Sequence, residues 1–114
     1  MARIDRRDLV TVPDMFGTHE DRTAVVVCKS EYSDAAYEIV VPGTGDSKYR
    51  DHKLSVKLTN SDLTQGELRK EPTYLETWRM RPIATSNIKK LNIIASSDVM
   101  KRVAKKFAAM CIGK

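Results

Sequence analysis

The sequence predicts an α+β fold in which an antiparallel β-sheet is followed by a C-terminal helix. Three observations lead to this fold class. Segments rich in β-branched residues fill most of the chain, clusters of Gly, Pro, Asp and Ser separate them, and the last stretch has apolar residues at helical spacing. With 114 residues, 41% of them hydrophobic and 31% charged, the chain fits a single globular domain, assigned to residues 1–114.

Turn signals and alternation locate the strands. An apolar stretch near the N-terminus stops at the turn signal Pro13-Asp14, and the cluster 42–47 ends a later strand. Pro82 cannot donate to a strand ladder, so an edge, a bulge or a strand end is expected there. The predicted elements are an N-terminal hairpin region at 1–22, a sheet at 23–85 with strands at 23–32, 35–41, 52–60 and 73–84, a loop at 61–72 and a helix at 97–112.

Two of these strands carry apolar side chains on one face and cations on the other. Side chains alternate along a strand, so Leu54, Val56 and Leu58 share one face. Trp78 and Met80 share a face of the following strand. Because one loop joins the two strands, we expect them to be antiparallel neighbours whose faces align. The opposite faces hold Lys53, Ser55 and Lys57 in the first strand and Thr77, Arg79 and Arg81 in the second.

A cationic sheet face with hydroxyl groups suits the phosphates of a nucleic acid. Lysine supplies a point charge, arginine supplies a fork of donors, and hydroxyls add hydrogen bonds. An ordinary solvated sheet face is the alternative interpretation, although acids are sparse there. The candidate nucleic-acid-binding residues are Lys53, Ser55, Lys57, Thr77, Arg79 and Arg81.

The distribution of charge is uneven along the chain. The net charge is +5, but residues 79–114 contain nine Lys or Arg and one acid, whereas residues 1–78 sum to −3. A basic C-terminal third is typical of proteins that meet nucleic acid or an acidic membrane surface. A solvated surface explains the same charge, so the pattern alone leaves both interpretations open.

The C-terminal helix is predicted to begin at Ser97. Ser96 or Ser97 can cap it, Asp98 suits its positive N-terminal end, and Gly113 can end it. The preceding segment, 86–95, fits either a strand or a helical face. The apolar stripe of the helix contains Val99, Met100, Val103, Phe107, Met110 and Cys111, and its basic face contains Lys101, Arg102, Lys105 and Lys106.

The sequence contains no motif for catalysis, metal binding or a cofactor. Cys28 and Cys111 form no CxxC pair and are interpreted as small buried apolar residues, and a disulfide between them is disfavoured in a reducing compartment. His19 and His52 match no zinc motif and are interpreted as solvated. We therefore expect no metal, no cofactor and no small-molecule substrate. The absence of a secretory signal and of a long apolar run predicts a cytoplasmic protein with no membrane partner.

A single helix is too narrow to cover the apolar face of the predicted sheet. A helix is roughly 10 Å wide, whereas five strands about 4.8 Å apart span roughly 20 Å. A symmetric homodimer, with each helix over the partner's sheet, is the economical solution.

Three stretches resemble coat proteins of single-stranded RNA bacteriophages, the leviviruses. SDAAYEIVV (33–41), with the turn cluster and HKLSVKLTN (52–60) after it, resembles the central hairpin of that family. TYLETWRMR (73–81), which follows a long loop, resembles its Trp-bearing strand. IIASSDVMKRVAKKFAAM (93–110) resembles the end of the last strand and the first C-terminal helix.

The resemblance implies an interlocked homodimer with one continuous sheet, which assembles into an icosahedral capsid. Its inner face would package single-stranded RNA through Lys53, Ser55, Lys57, Thr77, Arg79 and Arg81, and would repress translation through an RNA hairpin. The loop 61–72 would make inter-dimer contacts, and the core would contain Leu54, Val56, Trp78, Val103 and Phe107. The protein would be a structural component of the virion, not an enzyme, assembled in the cytoplasm of a bacterial host and recovered as virus-like particles.

Two other hypotheses stay open. A small nucleic-acid-binding regulatory protein that does not assemble keeps the basic sheet and omits the shell. Its basic helix could then enter a major groove. An enzyme is the weakest hypothesis, because the sequence offers no nucleophile elbow, P-loop or dinucleotide-binding fingerprint.

Overall fold

The computed structural model describes residues 4–13, 21–28 and 37–112. In these ranges the chain forms eight strands and one α-helix. No helix in that part of the chain is both long and apolar enough to cross a membrane. The elements are β1 (Asp8–Val12), β2 (Arg22–Val26), β3 (Tyr37–Thr44), β4 (Ser55–Leu58), β5 (Leu63–Gln65), β6 (Thr73–Glu76), β7 (Arg81–Ala84), β8 (Lys89–Ala95) and α1 (Ser97–Ile112).

The strands form one antiparallel sheet. Their order is β4-β6-β3-β2-β1-β8-β5, and β7 pairs with β3 off this path. The predicted α+β class, with an antiparallel sheet followed by a C-terminal helix, is therefore confirmed. The predicted pairing of the strand at 52–60 with the strand at 73–84 is also confirmed, because β4 pairs with β6 from Ser55↔Glu76 to Leu58↔Thr73.

β3 has neighbours along both of its edges. Its first four residues pair with β7, and its last two, Gly43 and Thr44, pair with β6. Its other edge pairs with β2. A single eight-residue strand thus joins three others, and the sheet curls around it.

The inner strands of the curled sheet are buried on both faces. β1 is buried at every position, and each face of the sheet packs its own apolar cluster. The inference of a homodimer with each helix over the partner's sheet assumes one open apolar sheet face, whereas the sheet here is curled and packs an apolar cluster on each face. The cluster beneath α1 includes Leu9, Val25, Val41, Leu58, Leu75, Val99 and Val103, and the second includes Val10, Val12, Ala24, Val26, Val40 and Ile83.

The helix begins at Ser97 as predicted, with Asp98 in its first turn. Its apolar stripe is buried only in the N-terminal half. Val103 is 3% exposed, whereas Phe107 and Met110 are 37% and 38% exposed. The prediction that Phe107 lies in the core is therefore wrong.

Three segments differ from the sequence prediction or complete it. Residues 73–84 are not one strand, because Thr77–Arg79 form a 3-10 turn between β6 and β7. The interruption follows from pairing, since β6 and β7 lie along different parts of β3. Residues 86–95, which fitted either a strand or a helix, contain β8. The predicted loop 61–72 contains the short strand β5, which pairs with β8.

Two strand ends differ from the sequence prediction or lie partly beyond the described residues. β2 begins at Arg22 and ends at Val26, and residues 29–32 of the predicted strand 23–32 lie outside the described residues. His19 lies outside the described residues as well. β3 continues through Pro42 and Gly43 to Thr44, past the predicted strand end at residue 41. This extension brings Thr44 to the site described next.

Candidate functional site

A polar cleft of about 990 Å³ opens at the end of β3. Three parts of the chain meet there: the start of β2, the turn that follows β3, and the segment that leads into β6. Their side chains provide cations, hydroxyls and carboxylates. The cleft lining includes Asp21, Arg22, Thr44, Asp46, Arg69 and Lys70.

Two glycines let the segment before β6 lie directly on the turn after β3. A β-carbon at Gly43 would come within 2.7 Å of Cγ2 of Thr73, and one at Gly45 would collide with the Lys70 side chain. The Thr73 hydroxyl donates to the Lys70 carbonyl over 2.7 Å, which fixes the approaching segment. The close packing therefore sets Lys70 beside the end of β3.

The turn after β3 is held by side-chain hydrogen bonds. Oγ1 of Thr44 accepts from the Asp46 backbone N–H over 3.1 Å. Oδ1 of Asp46 accepts from the Lys48 N–H over 2.9 Å and so caps the 3-10 turn Ser47–Tyr49. The Thr44 hydroxyl keeps its own proton to donate, because it serves as an acceptor in this contact.

A buried carboxylate lies between two arginines. The Glu76 side chain is 0% exposed, with Oε1 at 3.5 Å from Nη1 of Arg79 and Oε2 at 3.8 Å from Nη1 of Arg22. Glu76 is not among the residues that line the cleft, whereas Arg22 lines it with 18% of its side chain exposed. Glu76 therefore orients the arginine that a ligand would meet.

Burial and the neighbouring cations shift the pKa of Glu76 in opposite directions. Burial raises the pKa of the Glu76 carboxyl, and Arg79, Arg22, Lys48 and Arg81 lower it. Burial is the larger effect, so the pKa lies above its ordinary value of 4.5. Oε2 of Glu76 is buried and accepts no hydrogen bond from the described residues. The carboxyl therefore takes up a proton more readily than an exposed glutamate does.

Arg79 connects this carboxylate to an aromatic cluster formed by Tyr49, His52 and Trp78. The His52 and Trp78 rings are stacked, with centroids 3.9 Å apart at 15°. Tyr49 meets the Trp78 ring edge-on, and its hydroxyl lies 3.3 Å from Nη2 of Arg79. Nδ1 of His52 accepts from the Leu54 N–H over 3.0 Å, so the exposed histidine is held in place rather than merely solvated.

A second depression, the basic groove, lies between residues 51–57 and α1 and has a volume of about 1170 Å³. It brings together three of the sequence-predicted site residues, Lys53, Ser55 and Lys57. The facing helix α1 contributes part of its basic face to the groove. The groove lining includes the cations Lys53, Lys57, Arg102, Lys105 and Lys106 and the apolar residues Leu54, Val56 and Met110.

The other three sequence-predicted site residues do not line this groove. Thr77 is fully buried, and its hydroxyl donates to the Leu54 carbonyl over 2.6 Å. Arg79 faces Glu76 and Tyr49, and Nε of Arg81 donates to the Arg79 carbonyl over 3.3 Å. The 3-10 turn breaks the alternation that would have aligned them with Lys57.

The sequence-based reasoning missed the polar cleft. It identified residues 42–47 as a turn that ends a strand, and it placed Arg22 at the end of the N-terminal hairpin region 1–22. The signal available was a Gly- and Asp-containing turn after a buried strand, but nothing in the sequence indicates that Lys70 packs on it.

Both cysteines are free, and Cys111 is exposed, contrary to the prediction. Across the described ranges, no group of three or more His, Cys, Asp or Glu residues could hold a metal ion.

Comparisons with known proteins relate the chain to solved structures only. No protein-family model matches it, and no curated protein matches it. It is similar to the crystal structure of MazF from Deinococcus radiodurans, with a TM-score of 0.75 and 17% identity over 100% of both chains. Two crystal forms of MazE-MazF from the same organism give TM-scores of 0.72, with 18% and 20% identity over 97% and 94% of each chain. The fold is therefore that of MazF.

This fold overturns the resemblance to phage coat proteins. The chain forms a curled sheet of its own, whereas the coat proteins share one continuous sheet across a dimer. The expected capsid, icosahedral shell, virus-like particle and virion location are wrong for the same reason. The expectation that the chain is not an enzyme is corrected too, because it rested on the coat-protein resemblance that this fold overturns. Alternating apolar and cationic residues are common to both folds, so that pattern could not distinguish them.

Proposed function

We propose that this chain is a MazF-like endoribonuclease toxin that cleaves single-stranded RNA in the polar cleft and acts in the bacterial cytoplasm. The observation that carries the proposal is the position of Arg22, which lines a cationic cleft within a MazF fold. MazF proteins are the toxins of toxin–antitoxin systems. The alternative considered from the sequence, a nucleic-acid-binding regulator that does not assemble, is closer to this function than a coat protein is.

The cleft supplies groups that suit an RNA phosphate. Arg22 presents a guanidinium fork, and Arg69 and Lys70 add exposed cations at the rim. Because Glu76 and its surroundings fix Arg22 before any ligand arrives, little side-chain entropy is lost when a phosphate binds. Arg22 is therefore assigned to the phosphate whose bond is broken.

RNA can be cleaved by attack of the ribose 2′-hydroxyl on the adjacent phosphate, and the cleft contains the groups that this reaction requires. The 2′ oxygen bonds to the adjacent phosphorus, its proton passes to a carboxylate, and the bond from phosphorus to the 5′ oxygen breaks. The leaving oxygen takes a proton from solvent, and the other product ends in a 2′,3′-cyclic phosphate. Asp46 is engaged in capping, so Asp21 is assigned as the proton acceptor. Arg22 and the Thr44 hydroxyl stabilise the negative charge that develops on the phosphoryl oxygens.

A cleavage assay with the purified protein tests this function. We expect a single-stranded RNA oligonucleotide to be cut to products with 2′,3′-cyclic phosphate ends, and the same sequence with 2′-O-methyl groups to stay intact. Arg22→Ala should lower kcat by about 10²–10³-fold, as the loss of a transition-state donor does. Arg6→Ala is the matched control, because Arg6 is exposed and does not line the cleft. RNA binding without cleavage would favour the regulator over the nuclease.

Two protein partners belong to the proposal. A MazE-like antitoxin is supported by the two MazE-MazF structures that share this fold. A homodimer is supported by the exposed apolar side chain of Phe107 on α1, which does not line the basic groove. Expression in bacteria should arrest growth, and Arg22→Ala should relieve the arrest. Gel filtration of the protein and of Phe107→Ala tests the dimer.

A further inference from the structure

We infer, taking the RNA substrate of the proposed function as the premise, that the RNA strand leaves the polar cleft across the exposed ring of His52 and continues along the basic groove. The inference adds a second binding region to the one in which the chemistry occurs. Its ligand is single-stranded RNA outside the cleaved step, read by ring stacking and by phosphate contacts.

The two depressions are connected by one short segment of the chain. Ser47 lines the polar cleft, and His52, five residues later, lines the basic groove. Between them Tyr49 contacts both Trp78 and Arg79, and Arg79 contacts the Glu76 carboxylate that also faces Arg22. An RNA strand that follows this segment of the protein therefore passes from the polar cleft over the aromatic cluster to the basic groove.

His52 is suited to stack on a nucleobase. One face of its ring rests on Trp78, while the residue as a whole is exposed. Its Nδ1 is occupied by the Leu54 N–H, which leaves Nε2 to carry the proton of the neutral ring. The stack beneath the ring and the bond to Nδ1 hold it in one orientation, so a base meets a preformed platform.

The charges of the basic groove fit a phosphate backbone. Lys53, Lys57 and Lys105 are exposed and Lys106 is half-buried, and all four line the groove. Arg102 is already committed to Asp62 and Asp98, at 2.9 and 3.1 Å. An acidic peptide would satisfy the same lysines, but it would leave the stacked His52 ring without a use. The aromatic platform therefore favours RNA.

Two substrates separate the groove from the cleft. One is a single-stranded RNA of about 20 nucleotides, and the other is the shortest fragment of it that is still cleaved. For the long RNA, His52→Ala and the double variant Lys53→Ala/Lys57→Ala should each raise KM about tenfold or more with kcat unchanged. For the short fragment neither KM nor kcat should change. His52→Phe, which keeps an aromatic ring, should restore most of the affinity.

Salt dependence and matched controls complete the test. Each lysine that contacts a phosphate should lower the slope of log affinity against log salt by about 0.7 when replaced by alanine. Lys101→Ala and Tyr37→Ala should change neither affinity nor slope, because both residues are exposed and neither lines the groove. Thermal melting of every variant shows whether it is folded.

The outcomes decide between the two regions. Unchanged affinity of the folded groove variants for the long RNA would overturn the inference, even if the RNA is cleaved. The inference would also be overturned if the groove variants bound a polyglutamate peptide more weakly than the unmodified protein does but bound RNA with unchanged affinity. If the protein binds but does not cleave RNA, the proposed function fails, and weaker binding by the groove variants still supports the groove.

Discussion

The buried carboxylate of Glu76 lies 3.8 Å from the guanidinium of Arg22, the arginine that lines the polar cleft. The contact joins β6 to the start of β2 across the end of β3. Because the Glu76 side chain is 0% exposed, it cannot touch a ligand, and it acts through the arginine it holds. Two expectations follow, one for stability and one for activity.

The first expectation concerns the pH dependence of unfolding. Burial raises the pKa of Glu76 above 4.5, so the folded chain holds this proton more tightly than the unfolded chain. The stability it contributes is full below the unfolded pKa and is lost as the pH rises through the folded pKa. We expect the unmodified protein to lose stability with rising pH relative to Glu76→Gln. Urea titrations across this range measure the difference, and parallel pH profiles would contradict it.

The second expectation concerns the pH dependence of RNA cleavage. Only the ionised carboxylate attracts Arg22 and Arg79, so cleavage should increase as Glu76 loses its proton. Glu76→Gln should lower kcat by about tenfold and abolish that rise, because an amide has no charge to titrate. The pH profile of kcat for both proteins checks this. A merely structural role would lower kcat at every pH and leave the shape of the profile unchanged.

A third prediction tests the packing that carries Lys70 to the cleft. Gly43→Ala should destabilise the fold by about 1–3 kcal/mol, because its β-carbon would lie 2.7 Å from Cγ2 of Thr73. Thr73→Ser removes that methyl group and keeps the hydroxyl that bonds the Lys70 carbonyl. The double variant should therefore recover much of the lost stability in a denaturant titration. Additive losses in the double-mutant cycle would show that the contact is not the cause.

A fourth prediction compares two apolar residues one helical turn apart on α1. Val103→Ala should cost about 2 kcal/mol of unfolding free energy, because Val103 is 3% exposed within the core beneath the helix. Phe107→Ala should cost less than about 1 kcal/mol, since Phe107 is 37% exposed. Thermal unfolding at low protein concentration measures both. Equal costs would mean that Phe107 is covered in solution.

The elements that sequence patterns identified are those set by local chemistry. The alternation at 55–58 and the helical stripe with Asp98 in its first turn are visible in the sequence, and both elements form. The break at Thr77–Arg79 is not visible, because the residues alternate straight through it. It arises from the distant strand β3, which pairs with β6 and β7 at different positions. Long-range pairing of this kind leaves no local signal.

The candidate site was harder to predict than the fold class. Lys53, Ser55 and Lys57 do line one groove, but Leu54 and Val56, which have the opposite parity, line it too. Arg22, Thr44 and Lys70 come from three separate segments, and only the curl of the sheet brings them into one cleft. The coat-protein resemblance failed because half-buried antiparallel strands of many folds present apolar groups on one side and cations on the other.

The three-sided pairing of β3 also bears on motion. Its amide protons should be among the slowest to exchange with deuterium, whereas those of β5, a three-residue strand, should exchange far sooner. Thr44, which lines the cleft, is the last residue of β3. Because the Thr73 hydroxyl and the packing at Gly45 hold Lys70 beside this strand, we expect both sides of the cleft to keep one shape whether or not a ligand is bound.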